Sequence, residues 1–237
     1  MPSYWRLSRS PRYSLLFALP LLLAYETLAF ALSHDAIAGV RNGADVLLKS
    51  VFVWLGGRTG VIIFGVLLLG TGAALVRRDR AGGKLRPAIF LGMAAESLLY
   101  ATLFGMVAGV LTGLLLGGVR LALVTGVRLD LPTQLMISLG AGIYEELLFR
   151  VLIVGLLAWL ARRVFAWGEL EAGAFATILG ALIFSAFHYI GPYGDPLTLP
   201  SFTFRAIAGV LFSGLYLTRG FGVTAWTHAL YDVLVTV

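Results

Sequence analysis

Three ionisable residues stand inside an otherwise apolar stretch, Ala141–Arg150, which reads AGIYEELLFR. Glu146 and Arg150 are four residues apart, and in a helix this spacing puts them on one face, where they can form an ion pair. Glu145 is turned by about 100° from Glu146, so it points to another face and lacks that partner. The pattern predicts a supporting pair at Glu146 and Arg150 and a carboxylate at Glu145 that is free for chemistry.

Two later segments place histidines at helical spacing. FSAFH puts Phe184 and His188 four residues apart, and HALYD does the same for His228 and Asp232. The third histidine, His34, falls in a predicted loop. A carboxylate together with imidazoles can activate water, because one group takes the proton while others stabilise the oxyanion formed at a carbonyl. The candidate catalytic residues are therefore Glu145, His188, His228 and Asp232.

The composition is that of a membrane protein. Hydrophobic residues make up 59% of the chain and charged residues 13%, about half of the roughly 25% that is usual in soluble domains. The net charge of +6 favours membrane lipids with anionic headgroups as partners. It does not indicate nucleic acid, because the basic residues cluster at the ends of apolar runs. Cysteine is absent, which excludes disulfides, thiolate metal sites and a cysteine nucleophile.

Seven apolar runs predict a polytopic transmembrane helical bundle. They are predicted to be helical because lipid offers no partner for free backbone groups, and barrel-like alternation is missing. The predicted spans are Tyr13–Leu32, Gly60–Val76, Ala88–Leu116, Leu131–Val164, Ala172–Ile190, Ser201–Thr218 and Phe221–Val237. Between the first two, Asp45–Trp54 is predicted to be an interfacial helix lying flat on the membrane. The fold class is therefore an all-α, multi-pass integral membrane protein.

The number of spans rises to eight if Leu131–Val164 breaks near Arg150. The distribution of basic residues favours seven spans with a cytoplasmic N-terminus, because an eighth span would move Arg162 and Arg163 to the outside. We expect a single membrane domain over residues 1–237. Residues 1–130 form its N-terminal helices and residues 131–237 its catalytic helical core.

The three motifs also carry a family resemblance. EELLFR fits the pattern EExxxR, FSAFH fits FxxxH and HALYD fits HxxxN/D. In this order, on successive membrane helices, they resemble the CPBP (ABI) family of intramembrane proteases, which includes the type II CAAX prenyl proteases. The resemblance covers Leu131–Val237.

This resemblance implies the hydrolysis of peptide bonds in a cavity among the helices, with a peptide or lipid-modified protein as substrate. Prenylated CAAX peptides are the best-known substrates of the family. By position, Glu145 would activate the water, His188 would assist, and His228 with Asp232 would bind the oxyanion. We expect the three side chains of Glu145, His188 and His228 to converge on this cavity, with Glu146 turned away toward Arg150.

The role of Asp232 and the need for a metal stay open. Asparagine is common at this position in the family, and an amide donates to an oxyanion where an ionised aspartate would repel it. Asp232 would serve if it is protonated, if it orients His228, or if it binds a metal. The helical HExxH zinc motif is absent, yet Glu145, His188 and His228 are a possible zinc set with an open position. The cofactor is thus either none or a divalent metal such as zinc.

Other functions remain as alternatives. A proton-coupled transporter also uses intramembrane acids and histidines, although inverted repeats and paired broken helices are not evident. A catalytically silent immunity or scaffold protein is the second alternative, although the motif set is intact. Two more intramembrane acids, Glu26 and Glu96, match no motif, and we interpret them as structural or cavity-lining.

Overall fold

The computed structural model describes residues 3–33, 40–79, 84–117, 129–191 and 194–236, and these contain helices and no strand. The prediction of an all-α bundle is confirmed. The helices are α1 (Tyr4–Ser8), α2 (Pro11–Ser33), α3 (Gly43–Arg78), α4 (Pro87–Leu115), α5 (Leu131–Gly140), a π-helical segment (Ala141–Val154), α6 (Gly155–Val164), α7 (Glu169–Phe187), α8 (Leu199–Arg219) and α9 (Phe221–Thr236).

Five of these helices are long and apolar enough to cross a membrane, namely α2, α3, α4, α7 and α8. The predicted count of seven differs in two places. Helix α9 has 16 residues, short of the roughly 20 that a span needs. The run Leu131–Val164 is divided into α5, the π-helical segment and α6. Its backbone stays helical throughout, so the break near Arg150 required by the eight-span alternative is absent.

The predicted interfacial helix forms the first part of α3. This part ends at Gly56 and Gly57, where the backbone leaves helical geometry and Gly57 has a φ of +59°, a conformation that glycine adopts without a steric penalty. Asp45 and Lys49 are buried. Apart from Ser50, the exposed side chains of this part are apolar, among them Val46, Leu47, Val51 and Trp54. The helix therefore turns its charges into the protein and its apolar face outward; its flat placement on the membrane stays a prediction.

Helix α9 lies at the centre of the bundle. It packs against α2, α4, α5, α8 and the π-helical segment. The last of these contacts depends on Gly142, where a Cβ atom would lie 2.3 Å from the carbonyl oxygen of Ala225. Small residues allow membrane helices to approach in this way. The close approach brings the side chains of Glu145 and Glu146 next to those of α9.

Candidate active site

The π-helical segment supplies both glutamates and the arginine of the first motif. Glu146 and Arg150 are completely buried or nearly so, at 0% and 1% exposure. Glu146 Oε2 lies 3.2 Å from Arg150 Nε, so the predicted ion pair is present. The guanidinium also packs on the ring of Phe184, with Cζ 4.4 Å from the ring centroid. This cation–π contact partly offsets the loss of water around the buried charge.

Glu146 also holds His228 in place. Its Oε1 lies 2.6 Å from His228 Nδ1, and a hydrogen bond from the ring to an ionised carboxylate requires the hydrogen on Nδ1. The ring of Phe212 stacks on the same imidazole at 4.3 Å. The expectation that Glu146 turns away from the site toward Arg150 was therefore incomplete. One oxygen faces Arg150, and the other fixes the orientation of a candidate catalytic histidine.

His188 follows the last residue of α7 and is fixed by the backbone of its own motif. Its Nδ1 lies 2.9 Å from the carbonyl oxygen of Phe184. A carbonyl only accepts, so Nδ1 carries the hydrogen and, in the neutral ring, Nε2 is left as the acceptor. The Phe184 ring also contacts the imidazole edge to face, with 4.8 Å between centroids. The backbone carbonyl and the ring of Phe184 thus both fix the direction in which Nε2 of His188 points.

The side chains converge around one carboxylate oxygen. Glu145 Oε2 lies 3.9 Å from His188 Nε2 and 4.0 Å from His228 Nε2. Asp232 Oδ2 lies 3.8 Å from His228 Nε2 on the same side. These separations are too long for direct hydrogen bonds but suit a single bridging water. The structure brings together all four residues that the sequence singled out.

The site is buried on one side and open on the other. The side chains of Glu145 and His228 are 9% and 5% exposed, whereas those of His188 and Asp232 are 25% and 29% exposed. A substrate would therefore approach past His188 and Asp232. A cavity of about 230 Å³ lies elsewhere, against Trp226 and Leu230, which occupy the opposite face of α9.

One contact of Glu145 was missed by sequence reasoning. Its Oε1 accepts a hydrogen bond of 2.8 Å from Nδ2 of Asn42, a residue far away in the sequence. The sequence signal at Asn42 was local. It indicated only the start of a helix, because asparagine is a preferred residue just before a helix. Phe212 was also missed, because an aromatic residue in an apolar helix carries no distinguishing mark.

The donor atoms do not fit a metal site in this arrangement. In a tetrahedral zinc site with bonds of about 2.0–2.1 Å, neighbouring ligand atoms are about 3.3 Å apart. The distances from Glu145 Oε2 to the two imidazole nitrogens, 3.9 and 4.0 Å, are wider. Within the described part of the chain, no three acidic or histidine side chains are placed so that they could hold a metal ion. His34 lies outside the described residues.

The two remaining intramembrane acids are each paired with a base. Glu26 lies 2.9 Å from Lys49 Nζ and also accepts a hydrogen bond from the Tyr144 hydroxyl. Glu96 forms an ion pair with Arg219. The pairing is consistent with the structural interpretation of both acids.

Fold and site together define a multi-pass helical membrane protein in which a glutamate and two histidines converge at a half-buried position. Residues 128–234 match the family model described as type II CAAX prenyl endopeptidase Rce1-like. The resemblance inferred from the three motifs is thereby confirmed. Comparison with curated proteins and with solved structures gave no match.

Proposed function

We propose that this protein is an intramembrane endopeptidase that hydrolyses a peptide bond in a membrane-associated substrate through water activated by Glu145. The observation that carries the proposal is the convergence of Glu145 Oε2 with Nε2 of both His188 and His228. It is supported by the match of the same segment to an endopeptidase family.

In the proposed first step, a water lies between Glu145 Oε2 and His188 Nε2. The Glu145 carboxylate takes a proton from this water while the resulting hydroxide attacks the carbonyl carbon of the peptide bond. The carbonyl oxygen becomes an oxyanion. When the tetrahedral intermediate collapses, the C–N bond breaks and the leaving amine receives the proton from Glu145. Water is thus divided between the two products, and the enzyme returns to its starting state.

In this proposal His228 stabilises the oxyanion through Nε2. Since the Nδ1 hydrogen is committed to Glu146 at 2.6 Å, donation from Nε2 requires the doubly protonated ring. The carboxyl groups of Glu145, Glu146 and Asp232 lie within 4.0 Å of this ring, and they are suitable countercharges for an imidazolium. In this scheme Asp232 lies beside Nε2, close to the position of the oxyanion. Glu146 orients the ring from the other side.

The substrate that suits this site is a peptide tethered to the membrane. In this proposal an extended chain enters from the open side at His188 and Asp232, and a lipid anchor would keep that chain near the bilayer. A prenylated CAAX-type peptide is the first candidate because of the family match.

The distribution of basic residues further supports a cytoplasmic N-terminus.

The test uses purified full-length protein in detergent with a prenylated CAAX peptide and its unmodified counterpart. Wild-type protein should cleave the prenylated peptide, and Glu145→Ala should lower the rate by about 10²–10⁴-fold, the usual contribution of a general base. Glu96→Gln is the matched control, since Glu96 is another intramembrane acid and is paired with Arg219 instead. Its activity per folded molecule should equal that of the wild type.

Unchanged cleavage by Glu145→Ala would contradict the proposal. If the wild type cleaves neither peptide nor a wider panel of membrane peptides, but carries a Glu145-dependent proton flux in liposomes, the transporter alternative replaces it.

A further inference from the structure

The carboxylate of Glu145 is held by a residue outside the family-matched segment. Asn42 precedes α3 and is 3% exposed. Its Nδ2 donates to Glu145 Oε1 at 2.8 Å. The family match begins at residue 128, so this contact joins the N-terminal part of the chain to the candidate active site.

The orientation of the Asn42 amide is determined by a second hydrogen bond. Its Oδ1 accepts from the backbone N–H of Ala44 at 2.9 Å, as in a normal helix N-cap. A backbone N–H can only donate, so the oxygen of the amide must face Ala44 and the NH₂ group must face Glu145. The cap therefore fixes Asn42 as a donor toward the carboxylate.

The surroundings hold Asn42 firmly. A Cβ atom at Gly140 would lie 2.7 Å from Cβ of Asn42 and 2.5 Å from Cε2 of Tyr25, so α5 presses directly against this residue. The Tyr25 hydroxyl donates to Asp45 in the first turn of α3 at 2.7 Å. These contacts leave Asn42 little freedom to move relative to Glu145.

We propose that Asn42 is a positioning residue for the general base Glu145. By holding Oε1, it leaves Oε2 directed at the two imidazole nitrogens, 3.9 and 4.0 Å away. The inference rests on the proposed function, and it makes the start of α3 part of the active site. Without this hydrogen bond the carboxylate is free to rotate about its last side-chain bond, and fewer molecules hold the water in the attacking position.

Two substitutions remove the donor and keep the helix cap. Asparagine, aspartate and serine are all good N-caps, but Asn42→Asp presents an acceptor to Glu145 and Asn42→Ser is too short to reach it. Asn42→Ser should fold with a Tm near that of the wild type, whereas Asn42→Asp adds a buried acid against Glu145 and should fold with a lower Tm. Their kcat should fall by about 10- to 100-fold, the scale of one hydrogen bond to a charged group. Their KM should stay within about twofold, because Asn42 positions Glu145 and does not touch substrate.

The matched control is Asp130→Ala. Asp130 caps α5 by accepting from the backbone N–H of Thr133 at 3.4 Å. Its loss should lower Tm slightly and leave kcat unchanged, because it removes a cap without touching the site.

The outcomes separate this inference from the proposed function. If Glu145→Ala is inactive while Asn42→Asp and Asn42→Ser keep wild-type kcat, the positioning role is wrong and the proposed function stands. A rise in KM with unchanged kcat would make Asn42 a substrate contact, and failure of both variants to fold would make it a structural residue; either result overturns the inference. If Glu145→Ala is fully active, the proposed function itself fails.

Discussion

Two groups of buried and half-buried charged residues lie side by side in this protein, and their charge balance differs. The paired cluster consists of Glu26, Arg41, Asp45 and Lys49. Each of its acids contacts both bases, with Lys49 Nζ 2.7 Å from Asp45 and Arg41 Nη1 3.0 Å from the same carboxylate. The second group holds the candidate catalytic residues and is called the catalytic cluster after the proposed function; it consists of Glu145, Glu146, Arg150, His188, His228 and Asp232. It has three acids against one permanent cation.

This difference separates charges whose presence can be explained by a contribution to stability from charges whose presence cannot. A buried charge costs several kcal/mol unless a partner and hydrogen bonds offset the loss of water. The paired cluster meets this condition within itself and joins α2 to α3. In the catalytic cluster, the direct ion pair of Arg150 is with Glu146. The bases within 4.0 Å of Glu145 and Asp232 are histidines, whose charge varies with protonation. An arrangement of this kind is typical of sites whose groups exchange protons.

The largest expected effect comes from removing the one permanent cation of the catalytic cluster. Arg150→Ala should lower the unfolding free energy by about 3–5 kcal/mol, because the Glu146 charge is left buried without its guanidinium partner. Folded yield and thermal stability in detergent measure this loss. A variant with normal yield and stability would show that the pair contributes little.

A second variant sharpens this test. Glu146→Gln in the Arg150→Ala background removes the stranded charge, so part of the lost stability should return. Activity should stay low, because His228 loses the carboxylate that accepts its Nδ1 hydrogen at 2.6 Å. Recovery of activity together with stability would contradict the orienting role of Glu146.

A smaller effect is expected in the paired cluster. Asp45→Asn leaves Arg41 and Lys49 with Glu26 as their remaining acid in this cluster. Asp45 is fully buried, and we expect a loss of about 2 kcal/mol, less than for Arg150→Ala, because Glu26 still pairs with both bases. Activity per folded molecule should match the wild type, since the paired cluster is assigned a structural role. A drop in kcat at unchanged stability would break the contrast between the two clusters.

The sequence predicted much of the catalytic cluster because its motifs are local. A spacing of four residues in a helix fixes which side chains share a face, and this is why the Glu146–Arg150 pair and the proximity of His228 and Asp232 could be foreseen. The helical fold class followed from composition, because lipid permits few alternatives.

Contacts between distant residues could not be foreseen. The bonds from Asn42 to Glu145 and from Glu146 to His228 join helices that are far apart in the sequence, and no spacing rule connects them. The link from Glu26 to the paired cluster was missed for the same reason, because Glu26 is 23 residues away from Lys49. The other members, Arg41, Asp45 and Lys49, follow each other at a spacing of four. Hydropathy also does not show how Leu131–Val164 is divided into three helical parts, and the number of spans stays a prediction.

The smallest expected effect concerns a metal, which is the other way to balance an acid-rich cluster. A divalent cation among Glu145, His188 and His228 would supply the missing positive charge, whereas in the proposed mechanism a protonated His228 supplies it. The oxygen-to-nitrogen distances of 3.9 and 4.0 Å exceed the roughly 3.3 Å of a tetrahedral zinc site.

Prolonged dialysis of the purified protein against a strong chelator should therefore leave peptide cleavage unchanged. Metal content measured on the same active sample should be far below one zinc per chain. Loss of activity on chelation with recovery on adding zinc would show that the cluster closes around a metal, and the role of His228 as the cation would then be wrong.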